Sequence, residues 1–151
     1  MDVGDVVADF ELIDETGASR SLSSLLEAGP VVLFFYPAAM SAGCTVEACH
    51  FRDVAAEFRA LGAQPVGVSH DSVDRQAQFA AKHTLGYPLL SDPDGTVRAQ
   101  FGVKRDRGFS QTKRMTFVVD TDRRVLAAIH SELRMNSHAD KALEALRARR
   151  H

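Results

Sequence analysis

Six consecutive apolar residues, Val31-Val-Leu-Phe-Phe-Tyr36, constrain the fold of this chain more than any other stretch. They are β-branched and aromatic with no polar residue on either alternate face, so as a strand they need cover on both sides. Such a strand belongs in the middle of a sheet with helices packed against its two faces, a three-layer α/β arrangement.

The rest of the chain reads around that strand. Residues 4–13 alternate before a turn at Gly17, which predicts an early strand or hairpin. Ser21 to Glu27 fits a short helical turn closed by Gly29-Pro30. A helix is predicted from about Ala42 to Ala60, its core face marked by Phe51, Val54, Ala55, Phe58 and Leu61. Pro65 to Ser69 is the next short strand. Ser72 caps a helix to about His83, with Val73, Ala77 and Ala80 as apolar marks. Tyr87 to Ser91 is extended, Asp92 to Gly95 turns, and about two helical turns end near Gly102. Met115 to Val119 and Val125 to Ile129 are strands joined by Asp120-Thr-Asp-Arg123. Ser137-His-Ala-Asp140 resembles a capping box before a last helix with Ala139, Ala142, Leu143 and Leu146 inward and a basic end at Arg147, Arg149 and Arg150. The closing β-β-α makes the sheet mixed and argues against a doubly wound nucleotide fold.

A length of 151 residues suits one domain, 1–151. The net charge of −2 gives no reason to expect nucleic acid or an anionic membrane as partner. No apolar run approaches the roughly 18 residues of a membrane span. Met1 to Asp5 lacks the basic and apolar regions of a signal peptide, so the expected compartment is the cytoplasm, where thiols stay reduced.

That expectation bears on the two cysteines, Cys44 and Cys49, which follow the apolar strand directly. The unpaired N–H groups at a helix start favour an anion, here a thiolate. Phe51, seven residues after Cys44, returns to the same helical side, so Cys44 faces the core. Cys49 lies roughly 140° away and points more towards solvent, while Glu47 is about 60° from Cys44 and able to share its pocket. In an intact helix, positions five apart have Cα atoms about 8.7 Å distant, beyond the roughly 7 Å limit of a disulfide. A 44–49 bond therefore requires the first helical turn to unwind, which favours a catalytic or switching pair over a resting disulfide. Zinc needs three or four ligands, and no second cluster beside His50 completes a site. The spacing also departs from the Cys-x-x-Cys of disulfide reductases.

The residues Phe34-Phe35-Tyr36-Pro37-x-x-x-Ser41-x-x-Cys44 resemble the peroxiredoxin pattern Pro-x-x-x-Thr/Ser-x-x-Cys. Gly43-Cys44-Thr45-x-Glu47-Ala48-Cys49-x-Phe51-Arg52 is similar to the bacterioferritin-comigratory, or Q-type, branch. Further likeness runs through Gly4-Asp5-x-x-x-Asp9-Phe10, Ser69-x-Asp71-Ser72, Tyr87-Pro88-Leu-Leu-Ser-Asp92, Phe101-Gly102-Val103 and Arg114-x-Thr116-Phe117. The resemblance implies a thioredoxin-like fold and thiol-dependent reduction of hydrogen peroxide and organic hydroperoxides. It makes Cys44 the peroxidatic nucleophile, Arg114 the partner of thiolate and peroxide, Ser41 a ligand of the oxygens and Pro37 the shield of the thiolate. Glu47 would orient an arginine. Cys49 would resolve the sulfenic acid as an intramolecular disulfide, reduced in turn by thioredoxin or a similar dithiol. No metal, flavin or nicotinamide is implied, and an internal resolving thiol suits a monomer.

Two positions depart from the pattern. Ser41 stands where threonine is more frequent, and Pro37-Ala38-Ala39-Met40 is more apolar than the charged loop common in the branch. The same cysteines would also serve a peroxide-sensing relay or a one-cysteine peroxidase resolved by an external thiol, and the fold alone would suit a non-catalytic interaction module. The six histidines read as surface or ordinary packing, and the basic segment 104–114 as a solvated loop.

Overall fold

A computed structural model describes residues 1–105 and 112–149. The chain opens with the hairpin β1 (Glu11–Asp14) and β2 (Ser19–Ser21), followed by α1 (Leu22–Leu26) and β3 (Val31–Phe35). Two helices, α2 (Ala42–Asp53) and α3 (Ala55–Ala60), lead to β4 (Gln64–Ser69), α4 (Val73–His83), β5 (Leu89–Ser91) and α5 (Thr96–Gln100). The antiparallel pair β6 (Met115–Val119) and β7 (Val125–His130) and the helix α6 (Met135–Ala148) complete the order.

Among the described residues the strands form one mixed sheet, in the order β2-β1-β5-β4-β3-β6-β7. Strands β3, β4 and β5 run parallel, and β6 lies antiparallel to β3. The alternation within β3 divides the core as its sequence demands. Val32, Phe34 and Tyr36 join the apolar cluster beneath α2, α3, α4 and α6. Val31, Leu33 and Phe35 join the opposite one, with Leu22, Leu25 and Leu26 of α1 and Val97 of α5. The mixed, three-layer arrangement expected from the sequence is the one observed.

Gly67 in β4 shows why one core position lacks a side chain. A Cβ there would fall 2.7 Å from Leu89 Cδ2, 2.9 Å from Tyr36 Cε1 and 3.0 Å from Phe34 Cζ. The space it leaves lets the Phe34 ring lie flat against Phe51 of α2, with centroids 4.3 Å apart. This stack seats α2 on the end of β3, and Cys44 with it.

Several boundaries differ from the sequence reading. The single helix expected over 42–60 breaks at Val54 (φ −103°, ψ 13°), a β-branched, weak helix former whose N–H turns to His50 O and Arg52 O. Of its core marks, Phe51 and Phe58 are buried while Val54, Ala55 and Leu61 are half-buried. The inner face of α4 is centred on Gln76 and Phe79; Val73, Ala77 and Ala80 lie at its margins. Helix α6 begins two residues before Ser137, whose hydroxyl donates to Arg134 O rather than capping. Its inward residues Ala139, Ala142, Leu143 and Leu146 are buried as expected. The early strand is confined to 11–14, with one isolated bridge from Val6 to Arg124. Of the basic segment 104–114, residues 106–111 lie outside the described residues, as does Arg150; Arg105 pairs with Glu132 at 3.2 Å. Among the described residues no helix is long and apolar enough to cross a membrane.

Candidate active site

The site forms at the carboxyl end of β3, the end at which open α/β sheets gather their chemistry. The chain leaves the sheet at Tyr36, passes the half-buried Pro37 and re-enters helix at Ala42. Ser41 is extended at the N-cap position (φ −70°, ψ 154°). Its side chain does not cap the helix: Oγ donates to Ala38 O at 2.9 Å, while its carbonyl accepts from Thr45 N–H and Thr45 Oγ1. Cys44, in the first turn, is 1% exposed and Cys49 is half-buried, and both thiols are free. The sidedness read from helical spacing is therefore present.

Sheet register brings in the arginine. Phe35 pairs with Met115, so the start of β6 lies beside the finish of β3. Arg114, one residue earlier, reaches across and places Nη2 3.3 Å from Cys44 Sγ. It is a buried residue, fixed at its backbone by Glu132 Oε2, which accepts its N–H at 3.1 Å. Partial burial pushes the Glu132 carboxyl upward, but hydrogen bonds from His130 and from the Arg114 N–H outweigh it and hold the group below its ordinary value. Two residues upstream, Thr112 Oγ1 accepts from Arg98, which is itself paired with Asp92 in the interior. Nε and Nη1 of Arg114 have no hydrogen-bond partner among the described residues. They are donors available to an oxygen bound beside the sulfur.

Glu47, one helical turn beyond Cys44, is wholly buried. Its Oε1 lies 3.6 Å from Arg114 Nη1, an electrostatic contact just outside hydrogen-bond reach. Desolvation pushes its pKa up to about 8, against the opposing pull of the Arg114 charge. Its other oxygen lies 3.5 Å from Nε2 of His138, a fully buried residue of α6. Nε2 donates to Ser131 O at 2.8 Å, which leaves Nδ1 to accept from the Thr116 hydroxyl at 2.8 Å. Burial lowers the His138 pKa, in keeping with this neutral tautomer.

His138, expected at the surface or in ordinary packing, packs against the acid of the site. Its place four residues before the inward Ala142 carried the available signal.

Gly43 completes the wall. A Cβ there would stand 3.3 Å from Arg114 Nη2 and 3.7 Å from the thioether of Met135.

The later part of α2 is tied down on several sides. Tyr87 Oη donates to Ala48 O at 2.7 Å, His50 Nε2 meets Asp140 at 2.8 Å, and Arg52 donates to His83 O at 2.7 Å. The first turn, which holds Cys44, lacks ties of this kind among the hydrogen bonds of the described residues, apart from Arg114 to the sulfur. A groove of about 370 Å³ lined by Leu25, Pro30, Arg59, Gln64 and Tyr87 includes none of the site residues.

The sequence profile of the AhpC/TSA family matches residues 3–128. The chain belongs to that family. It is 61% identical to a peroxidoxin, BcpB, of Mycobacterium tuberculosis, whose crystal structure superposes with a TM-score of 0.96 over 100% of this chain and 99% of that one. It is 37% identical over 145 residues to the chloroplastic peroxiredoxin Q of Sedum lineare, covering 96% of this chain and 77% of the relative. A bacterioferritin comigratory protein of Xanthomonas campestris, studied for alkyl peroxide reduction, matches at 30% identity and a TM-score of 0.85, over 92% and 90% of the two chains. The Q-type resemblance in the sequence is thus matched in relatives and fold. As a peroxiredoxin, the protein is an oxidoreductase, a thiol peroxidase.

Proposed function

We propose that Cys44 is the peroxidatic thiol and Cys49 the resolving thiol of a peroxidase for hydrogen peroxide and organic hydroperoxides, recycled by thioredoxin or a similar dithiol. The observation that carries this reading is the Arg114 guanidinium 3.3 Å from a buried sulfur at a helix start, with a second free thiol on the same helix.

The Cys44 thiolate attacks one peroxide oxygen. The S–O bond forms as the O–O bond breaks, and the other oxygen leaves with a proton as water or an alcohol. Arg114 donates to the sulfur and, through Nε and Nη1, to the oxygens as charge passes between them. Ser41 Oγ, its proton engaged with Ala38 O, is left as an acceptor for the peroxide O–H. Pro37 limits water access to the sulfur. The buried carboxyl of Glu47, beside the guanidinium, bounds the movement of Arg114.

The Cys49 sulfur then attacks the sulfenic acid, releasing water and forming the 44–49 disulfide. The first turn of α2 must unwind for this, since an intact helix holds the two Cα atoms about 8.7 Å apart. The ties at Ala48, His50 and Arg52 favour movement of Cys44 towards Cys49. Exchange with an external dithiol restores both thiols. The protein works as a single domain and a monomer, in a reducing cytoplasm.

Thioredoxin-coupled turnover of the two serine variants tests the assignment. Cys44→Ser is expected to consume no peroxide; Cys49→Ser is expected to undergo one oxidation and fail to recycle. Full turnover in Cys49→Ser would contradict the resolving role.

A further inference from the structure

We infer that Asp71 is a positioning residue for peroxide attack at Cys44, acting through the main chain of Ala39. This rests on the assignment of Cys44 above. Parallel pairing of Phe35 with Val68 brings the end of β4 beside the end of β3, so Ser69-His70-Asp71 emerges next to the segment that leads into α2. Asp71 is only 7% exposed, and its Oδ2 accepts the Ala39 N–H at 2.7 Å. Its Oδ1 faces Arg75 Nε at 3.7 Å, and the same guanidinium donates through Nη2 to Ala39 O at 3.4 Å. One acid and one base thus hold the N–H and the carbonyl of a single residue, on two successive peptide units.

That carboxylate is held from behind. Ser69 Oγ donates to Asp71 Oδ2 at 2.7 Å and accepts from Gln76 Nε2 at 3.0 Å. Gln76 is fully buried; it donates also to Leu90 O at 2.9 Å, and its Oε1 accepts from Tyr36 Oη. The bonds run Tyr36–Gln76–Ser69–Asp71–Ala39, beginning and ending on the segment that carries Pro37. The result is a closed strap around residues 36–39.

The strap has something to hold. Met40, the next residue, sits at φ +70°, a left-handed conformation that a side chain larger than hydrogen adopts only at an energetic cost. Such a conformation persists where its surroundings over-determine it. Beyond the strap, the segment's own bonds are few: Ser41 N–H and Oγ both reach Ala38 O, the former at 3.4 Å. Release of Ala39 would let Ala38 O move, and with it the direction of the Ser41 hydroxyl. Arg114 reaches the sulfur from the position just before β6 and is independent of this strap, so the loss falls on the oxygens of the peroxide rather than on the thiolate.

The test compares two reactions of Cys44 in the full chain, stopped-flow oxidation by hydrogen peroxide and alkylation by iodoacetamide, which needs the thiolate but no oxygen site. In Asp71→Ala the peroxide rate constant is expected to fall about tenfold or more, with alkylation within about twofold of wild type. Asp71→Asn, which keeps an acceptor for Ala39 N–H, is expected to recover most of the loss. Should Asp71→Ala fail to fold, Ser69→Ala decides: a lowered ratio of peroxide to alkylation rate supports the strap, and an unchanged ratio overturns it. Equal slowing of both reactions in Asp71→Ala, or no slowing, also overturns it. A wild-type Cys44 that peroxide leaves untouched would instead remove the functional assignment, and the inference with it.

Discussion

Arg114 meets Cys44 from a different element: a residue preceding β6 sets its Nη2 3.3 Å from a sulfur in the first turn of α2. The contact depends on antiparallel register between β3 and β6, which no spacing within the helix encodes. It therefore survives only while α2 is seated on the sheet, which couples the reactive arrangement to the folded state of that turn.

Arg114→Lys separates charge from shape. Lysine keeps one positive charge but lacks the planar fork that serves the sulfur and two oxygens together. The rate constant for the first oxidation by peroxide is expected to fall about a hundredfold, measured by stopped flow. A lysine variant within about threefold of wild type would show that a point charge suffices.

Gly43→Ala should part stability from activity. Alanine in a helix is favoured over glycine by about 1 kcal/mol, so the variant should fold at least as well as wild type. The added Cβ would stand 3.3 Å from Arg114 Nη2, tighter than ordinary contact, and push the guanidinium from the sulfur. A slower peroxide reaction with unchanged or raised Tm is the expected pair of results.

Glu47 gives a pH signature. Burial pushes its pKa up to about 8 in the folded chain, against an ordinary value of 4.5. Between those values the folded chain binds more protons than the unfolded one, so this residue's contribution to stability declines as pH rises through the window. Below it that contribution is fully present. Glu47→Gln mimics the protonated acid and should flatten this slope. Urea unfolding at pH 5, 7 and 8.5 should show the variant gaining on wild type as pH rises, by up to several kcal/mol. Parallel curves would contradict the assignment of the buried acid.

The central strand was legible because its six apolar residues fit no half-exposed position, and α6 because Ala139, Ala142, Leu143 and Leu146 repeat at helical spacing. Cys44 and Cys49 stood out by their place after that strand. The break at Val54 was hidden, since an apolar valine continues the stripe whether or not the helix does. His138 and Gln76 were missed for another reason. Each is a polar residue on an inward face whose burial is satisfied by partners outside its own helix: Thr116 and Ser131 for one, Tyr36, Ser69 and Leu90 for the other. Pattern reading expects apolar residues there. The bond from Asp71 to Ala39 likewise arises from the parallel pairing of β3 and β4.

The most direct measurement is mass spectrometry of the reduced protein after one equivalent of hydrogen peroxide. The expected product has lost two hydrogens and yields, on digestion without reductant, a crosslink between Cys44 and Cys49. A Cys44 sulfenic acid persisting beside a free Cys49, or a Cys44 still reduced, would contradict the account.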